Sequence, residues 1–154
     1  MRNLEKQQKL EGFSLFELIV TMGILLILSI IVFPIATQKA QQTRLDTYAS
    51  ELVTDLYFQQ QQSTMRNESR GVLIESNGYT LFDGESSAEA IEKDIRSYPN
   101  NIRISSVSFS MGNEVLFPEG NFKPSSFGTL IISDGTFAVQ VYINKEGLIG
   151  YERL

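Results

Sequence analysis

The chain has 154 residues, enough for one domain of ordinary size plus an anchoring segment. It contains no Cys and no His, which removes disulfides, thiolate chemistry, the usual zinc sites and every histidine-dependent triad, and so weighs against an enzyme. Lys and Arg total 13 against 18 Asp and Glu, a formal charge of -5, which makes a poor non-specific binder of nucleic acid or anionic lipid.

Residues 1–12, MRNLEKQQKLEG, read as a short polar leader with Arg2, Lys6 and Lys9 against Glu5 and Glu11. The basic excess favours keeping this end in the cytoplasm. Residues 13–33 then form a continuous apolar run, FSLFELIVTMGILLILSIIVF, long enough to cross a bilayer as a helix. The run is longer than the apolar part of a secretory signal, and the PIATQKA that follows is a poor cleavage site. An uncleaved signal anchor is one reading.

Glu17 argues for another. A carboxylate at the centre of a membrane helix costs on the order of 3 kcal/mol, and residues retained there usually serve a function. Near the helix start the macrodipole favours a carboxylate, so a surface glutamate is the plain alternative. The run itself supplies no cation for Glu17. A chain cut after Gly12 would place a free amine on Phe13, and that amine, from the same chain or a neighbour, would be a suitable partner. Gly23 permits close helix approach, and Pro34 is expected to kink the helix or to end it.

Residues 35–67 read as an amphipathic stalk helix. Leu45, Tyr48, Ala49, Leu52, Val53 and Leu56 share one helical face, with Asp46, Glu51 and Asp55 off it, so the helix is expected to lie across a sheet. Gln59 to Gln62 reads as a solvated helix surface. Asn67, Ser69 and Gly71 end the helix.

Residues 68–154 turn to strands. Strands are expected over 71–76 and 79–82 about an Asn77-Gly78 hairpin turn, then over 102–109 with a bulge at Ser105-Ser106, and over 114–117, 129–133, 136–143 and 148–151. Residues 83–90 read as a loop and 88–96 as a short helical turn with Ile91 and Ile95 on one side. Turns are expected at Pro118–Asn121, at Asp134-Gly135 and over 144–147. The fold class is α+β: a long transmembrane-plus-amphipathic helix packed on a C-terminal antiparallel β-sheet.

Gly12-Phe13-Ser14-Leu15-Phe16-Glu17-Leu18-Ile19-Val20 resembles the class III leader junction of type IV pilins and pseudopilins, and Pro34 falls on that family's helix-kinking proline. In the C-terminal half, the ordered blocks Ser97-Tyr98-Pro99, Ile102-Arg103-Ile104, Leu116 to Gly120, Gly128-Thr129-Leu130, Val139 to Ile143 and Glu146 to Ile149 resemble the H-type minor pseudopilins of type II secretion. FimT-like minor pilins and the D-type competence pseudopilin share the layout. Glu11 departs from the usual basic character of such leaders.

The resemblance implies a structural subunit that helps initiate or cap a type IV pilus-like filament or a secretion or competence pseudopilus, with no catalytic residues, cofactor or metal. A prepilin peptidase would cut between Gly12 and Phe13, and Phe13 would be N-methylated. Residues 13–34 would anchor the chain through membrane lipid and later pack in the filament core. Glu17 would pair with a neighbour's N-terminal amine and set register, a device for specificity more than stability. Implied partners are other pilin or pseudopilin subunits, the peptidase and an inner-membrane assembly platform. The implied location is the cytoplasmic membrane, single-pass, with the C-terminal domain outside.

FimT-like relatives bind DNA through basic C-terminal residues. Here Arg153 is the only basic residue after Gly147, with Glu152 beside it, and Lys145 precedes Glu146, which is too little charge for DNA binding by this subunit alone. No Ser sits in G-x-S-x-G or S-x-x-K, and acids such as Glu92 and Asp94 read as a solvated face.

Overall fold

The computed structural model describes residues 12–154, so the expected leader lies, Gly12 apart, outside the described residues. Among these residues one helix, α1 (Leu15–Arg66), precedes eight strands: β1 (Arg70–Glu75), β2 (Gly78–Asp83), β3 (Lys93–Ser97), β4 (Arg103–Phe109), β5 (Glu114–Phe117), β6 (Gly128–Ser133), β7 (Ala138–Ile143) and β8 (Ile149–Arg153). The chain divides into two compact units between Lys39 and Ala40.

In the first unit, the residues of 12–30 and 32–39 are exposed except half-covered Gly23. Pro34 lies inside α1, so it does not end the helix. Its missing N–H leaves the carbonyl of Ile30 without its usual helical donor.

In the second unit, the apolar stripe of α1 is the spine of the core. Leu45, Ala49, Leu52 and Leu56 are fully buried, with Tyr48 and Val53 packed beside them. Each such leucine contributes about 1.5–3 kcal/mol of transfer free energy. The strands pair antiparallel throughout and form two four-stranded sheets, β3-β2-β1-β5 and β4-β6-β7-β8. Val72, Ile74 and Tyr79 from the first sheet and Ile104, Leu130, Ile132, Val139 and Val141 from the second join the helix stripe in one cluster. Alternation along β7 buries Val139, Val141 and Ile143 while Ala138, Gln140 and Tyr142 stay half-covered. The chain therefore has the expected α+β architecture.

Helix α1 ends where Asn67 takes a left-handed conformation (φ 57°), a position asparagine tolerates. The last-turn carbonyl of Ser63 accepts the N–H of Gly120 at 3.1 Å. The expected bulge is present: the β4–β6 register shifts between Ser105 and Ser108, and Ser106 has φ 49°.

Three local expectations change. The Gln59–Gln62 tract is not simply a solvated surface, because Gln59 and Gln60 are buried. The Gln59 amide donates to the carbonyls of Gly71 (3.1 Å) and Phe82 (3.4 Å), and that of Gln60 to Phe122 (2.9 Å) and Gly147 (2.8 Å). These two side chains tie the helix to the β1–β2 pair and to two loops, giving the buried carbonyls there a side-chain donor.

The segment 88–96 is not a helical turn. A tight turn at 86–90 closes with the Ala90 N–H on the Ser86 carbonyl, and Lys93–Ser97 then forms β3 on the edge of β2. Ile91 and Ile95, expected on one side of a helical turn, are both exposed, and main-chain pairing of Lys93–Ser97 with β2 decides the conformation.

The β1–β2 hairpin turns at Ser76-Asn77, with Gly78 already in β2 opposite Ser97. A Cβ on Gly78 would stand 2.0 Å from the Arg96 carbonyl oxygen, and its φ is +155°, so the glycine serves close strand approach.

Candidate assembly segment

Ser14 is the residue that sequence reasoning passed over. Its side-chain oxygen accepts the N–H of Glu17 at 3.2 Å, and its carbonyl accepts the N–H of Leu18 at 3.1 Å, so Ser14 caps α1. Ser14-Leu15-Phe16-Glu17 is the S-x-x-E pattern of a capping box, a signal that was available in the sequence. Gly12 and Phe13 precede the helix without regular structure and are exposed, Phe13 by 82%. The Gly12–Phe13 bond is thus on the open side of the cap.

Glu17 lies in the first turn, where the partial positive charge of the helix start favours a carboxylate. It is exposed, and its carboxylate has no partner among the described residues. It is also the only charged side chain from Phe13 to Gln38. Three hydroxyls here are satisfied within the helix: Thr21 donates to the Leu18 carbonyl at 3.0 Å, Ser29 to Leu25 at 2.7 Å and Thr37 to Pro34 at 2.9 Å. The segment reaches a mean hydropathy of 2.9 over 18 residues, long and apolar enough to cross a membrane. What remains is an apolar cylinder with one unmatched charge at its start.

The second unit carries most of the other ionisable groups. Arg153 donates to Asp46 through Nε (3.0 Å) and Nη2, a two-point clasp that joins β8 to α1 and raises the pKa of the guanidinium. Buried Arg70 pairs with Asp83 at 2.7 Å and Glu68 at 3.2 Å. The Tyr79 hydroxyl donates to Asp55 at 2.7 Å, and Tyr98 packs on both Tyr79 and Tyr48. Burial, with the nearby Asp55 and Glu51 charges, pushes both the Tyr79 and Tyr98 hydroxyls well above the ordinary tyrosine range. Among the described residues no group of three or more acidic side chains could hold a metal ion.

No family model matches the chain, and no curated protein sequence matches it. Two crystal structures of the Pseudomonas aeruginosa type IV minor pilin FimU do match by shape. One superposes with a TM-score of 0.54 at 16% identity, covering 73% of this chain and 90% of FimU. The other gives 0.52 at 15% identity, covering 70% and 91%. With its N-terminal helix packed on antiparallel strands, the chain has the fold of a type IV minor pilin.

Proposed function

We propose that the chain is a minor pilin-type structural subunit, held in the cytoplasmic membrane by residues 13–34 and drawn from there into a type IV pilus-like or pseudopilus filament. The observation that carries this reading is the exposed apolar segment of α1, joined to a minor-pilin fold and opened by the Gly12-Phe13…Glu17 junction. Apolar side chains exposed around a whole helix call for lipid or other helices as solvent. A membrane holds such a segment before assembly, and a bundle of like helices holds it afterwards.

Gly12 is the residue before the cut, and Phe13 becomes the N-terminus and receives the methyl group. Glu17 neutralises the new amine of a neighbouring subunit and so fixes the step between them. Pro34 introduces a bend as the chain leaves the apolar layer. A prepilin peptidase, other pilin subunits and an assembly platform are the partners. Arg153, on which a DNA-binding reading would rest, is engaged by Asp46, and Lys123 by Glu146, which favours the structural role over phosphate contacts.

The test is the intact mass of the protein extracted from its native membrane. A mass that starts at Phe13 with one added methyl group is the expected result. A mass retaining residues 1–12 in cells with an active peptidase overturns the reading and leaves a signal-anchored domain.

A further inference from the structure

A groove of about 480 Å3 runs between the last turns of α1 and the start of β3. Half-exposed Phe58 lines it on the helix side, and Ile91, 97% exposed, on the strand side. Gln59 and Arg70 also line it, each more than nine-tenths buried and each only partly satisfied. The Gln59 amide donates to the carbonyls of Gly71 and Phe82, while its Oε1 meets no donor among the described residues. Arg70 pairs with Asp83 and Glu68, while its Nε–H meets no acceptor there. The groove thus holds one unmatched acceptor and one unmatched donor, each of a kind that buried groups rarely leave unpaired.

Past Ile91 the groove continues into a cleft lined by Glu85, Glu89 and Glu92. All three are exposed, and none has an ion-pair partner among the described residues. Asp94, by contrast, is held by Arg96 at 2.8 Å. Lys93 is the one unpaired cation lining either hollow, so the three glutamates leave a net negative rim.

A peptide unit carries one N–H and one C=O, the complement of Gln59 Oε1 and Arg70 Nε–H. An apolar side chain beside that unit covers Phe58 and Ile91, which gain by leaving water. A neighbouring lysine or arginine meets the glutamates, whereas the same rim repels nucleic acid and anionic lipid. We infer that the groove is a docking site for a peptide segment of a partner protein in which an apolar residue is flanked by lysine or arginine. The glutamates steer the segment in, the apolar residue holds it, and the main-chain unit fixes its register. Side-chain rotation at Phe58 and Gln59 admits it, an adjustment common at interfaces. The site does not depend on whether the chain enters a filament.

The probe is a fluorescein-labelled peptide Gly-Ser-Arg-Leu-Lys-Ser-Gly, titrated by anisotropy against the full-length protein in neutral-detergent micelles. Saturable binding is expected, about tenfold weaker when glycine replaces its leucine or glutamate its two basic residues. Glu89→Lys combined with Glu92→Lys is expected to weaken binding about tenfold, and Ile91→Ser about fivefold. These positions are exposed, so the unfolding midpoint should stay within a few degrees. Glu75→Lys with Glu152→Lys makes the same change in net charge at exposed positions on β1 and β8 that do not line the groove, and should leave binding unaltered. In nitrogen-15 spectra the Gln59 side-chain amide should shift as the peptide saturates.

Equal weakening by the two charge-reversed pairs would reduce the effect to diffuse attraction and overturn the proposal. So would the absence of saturable binding, indifference to the leucine or to Ile91→Ser, or a Gln59 amide that does not move. A homodimer in sedimentation that Ile91→Ser dissolves would assign the groove to a second copy of this chain and overturn it as well.

Discussion

Leu25, Leu26 and Leu28 belong to the same helix as Leu45, Leu52 and Leu56, yet the first three are exposed and the last three are sealed. The second group finds its partners within the chain, on two sheets folded from residues 70–153. The first group finds none among the described residues, so its apolar surface stays uncovered there. Polar groups divide in the same way. Gln59 and Gln60 are buried with carbonyl partners, whereas Glu17 is exposed with none. The hydropathy of a helical segment thus does not say where its solvent comes from. That depends on whether the rest of the chain supplies a complementary face.

The largest expected effect tests the unmatched charge. Glu17→Ala should leave membrane insertion intact but strongly reduce incorporation into filaments, read by fractionating sheared filaments from membranes; normal incorporation would remove the role given to Glu17. Gly12→Leu in the same assay should leave residues 1–12 attached, visible as an unshifted mass.

Next in size is a leucine truncation on each side of the divide. Leu52→Ala should lower the unfolding free energy by about 2–5 kcal/mol in denaturant titrations followed by tyrosine fluorescence. Leu26→Ala should stay within about 0.5 kcal/mol of the parent, since Leu26 is exposed. Equal losses would erase the distinction.

Gln60→Leu should cost about 1–3 kcal/mol by stranding the carbonyls of Phe122 and Gly147, while Gln61→Ala, on the exposed side, should cost under about 0.5 kcal/mol.

The tyrosine cluster gives a pH signature confined to the globular unit. Because the Tyr79 and Tyr98 pKa values are raised on folding, the unfolded chain releases these protons first. The stability tied to the neutral hydroxyls is full below the unfolded value of about 10 and is lost as pH climbs above it toward the folded values. Thermal unfolding midpoints should fall steadily above that pH, and Tyr79→Phe should flatten the slope. An unchanged slope would place the alkaline transition elsewhere.

The smallest expected effect is that of Asp46→Ala. It frees Arg153 and should speed amide exchange in β8 without changing exchange in β1 or β2.

Most of the secondary structure was legible because its signals are local. The stripe from Leu45 to Leu56 has the helical period, Asp134-Gly135 and Asn144 to Gly147 carry turn chemistry, and the Asn144 side chain does accept the N–H groups of Glu146 and Leu148 at 2.9 Å. The misread places have non-local causes. Gln59 and Gln60 look like solvated helix formers until carbonyls of β1 and β2, for Gln59, and of loops more than sixty residues away, for Gln60, arrive to be paired. Ile91 and Ile95 have helical spacing, but the free edge of β2 recruits their segment as a strand. Ser14 was legible as the first residue of an S-x-x-E cap and was eclipsed by the charge of Glu17.

By itself the sequence determined the length and apolarity of residues 13–33, the single carboxylate at Glu17, the helical stripe and the run of strands. Each follows from composition, period or turn chemistry within a window of about twenty residues. Only the tertiary structure decided which sheet each strand joins, that Gly78 serves cross-strand approach, that two glutamines are buried, that Arg153 is clasped by Asp46, and that β3 is left as an open edge. All of these depend on which distant main-chain groups come to lie opposite one another, and no local pattern records that.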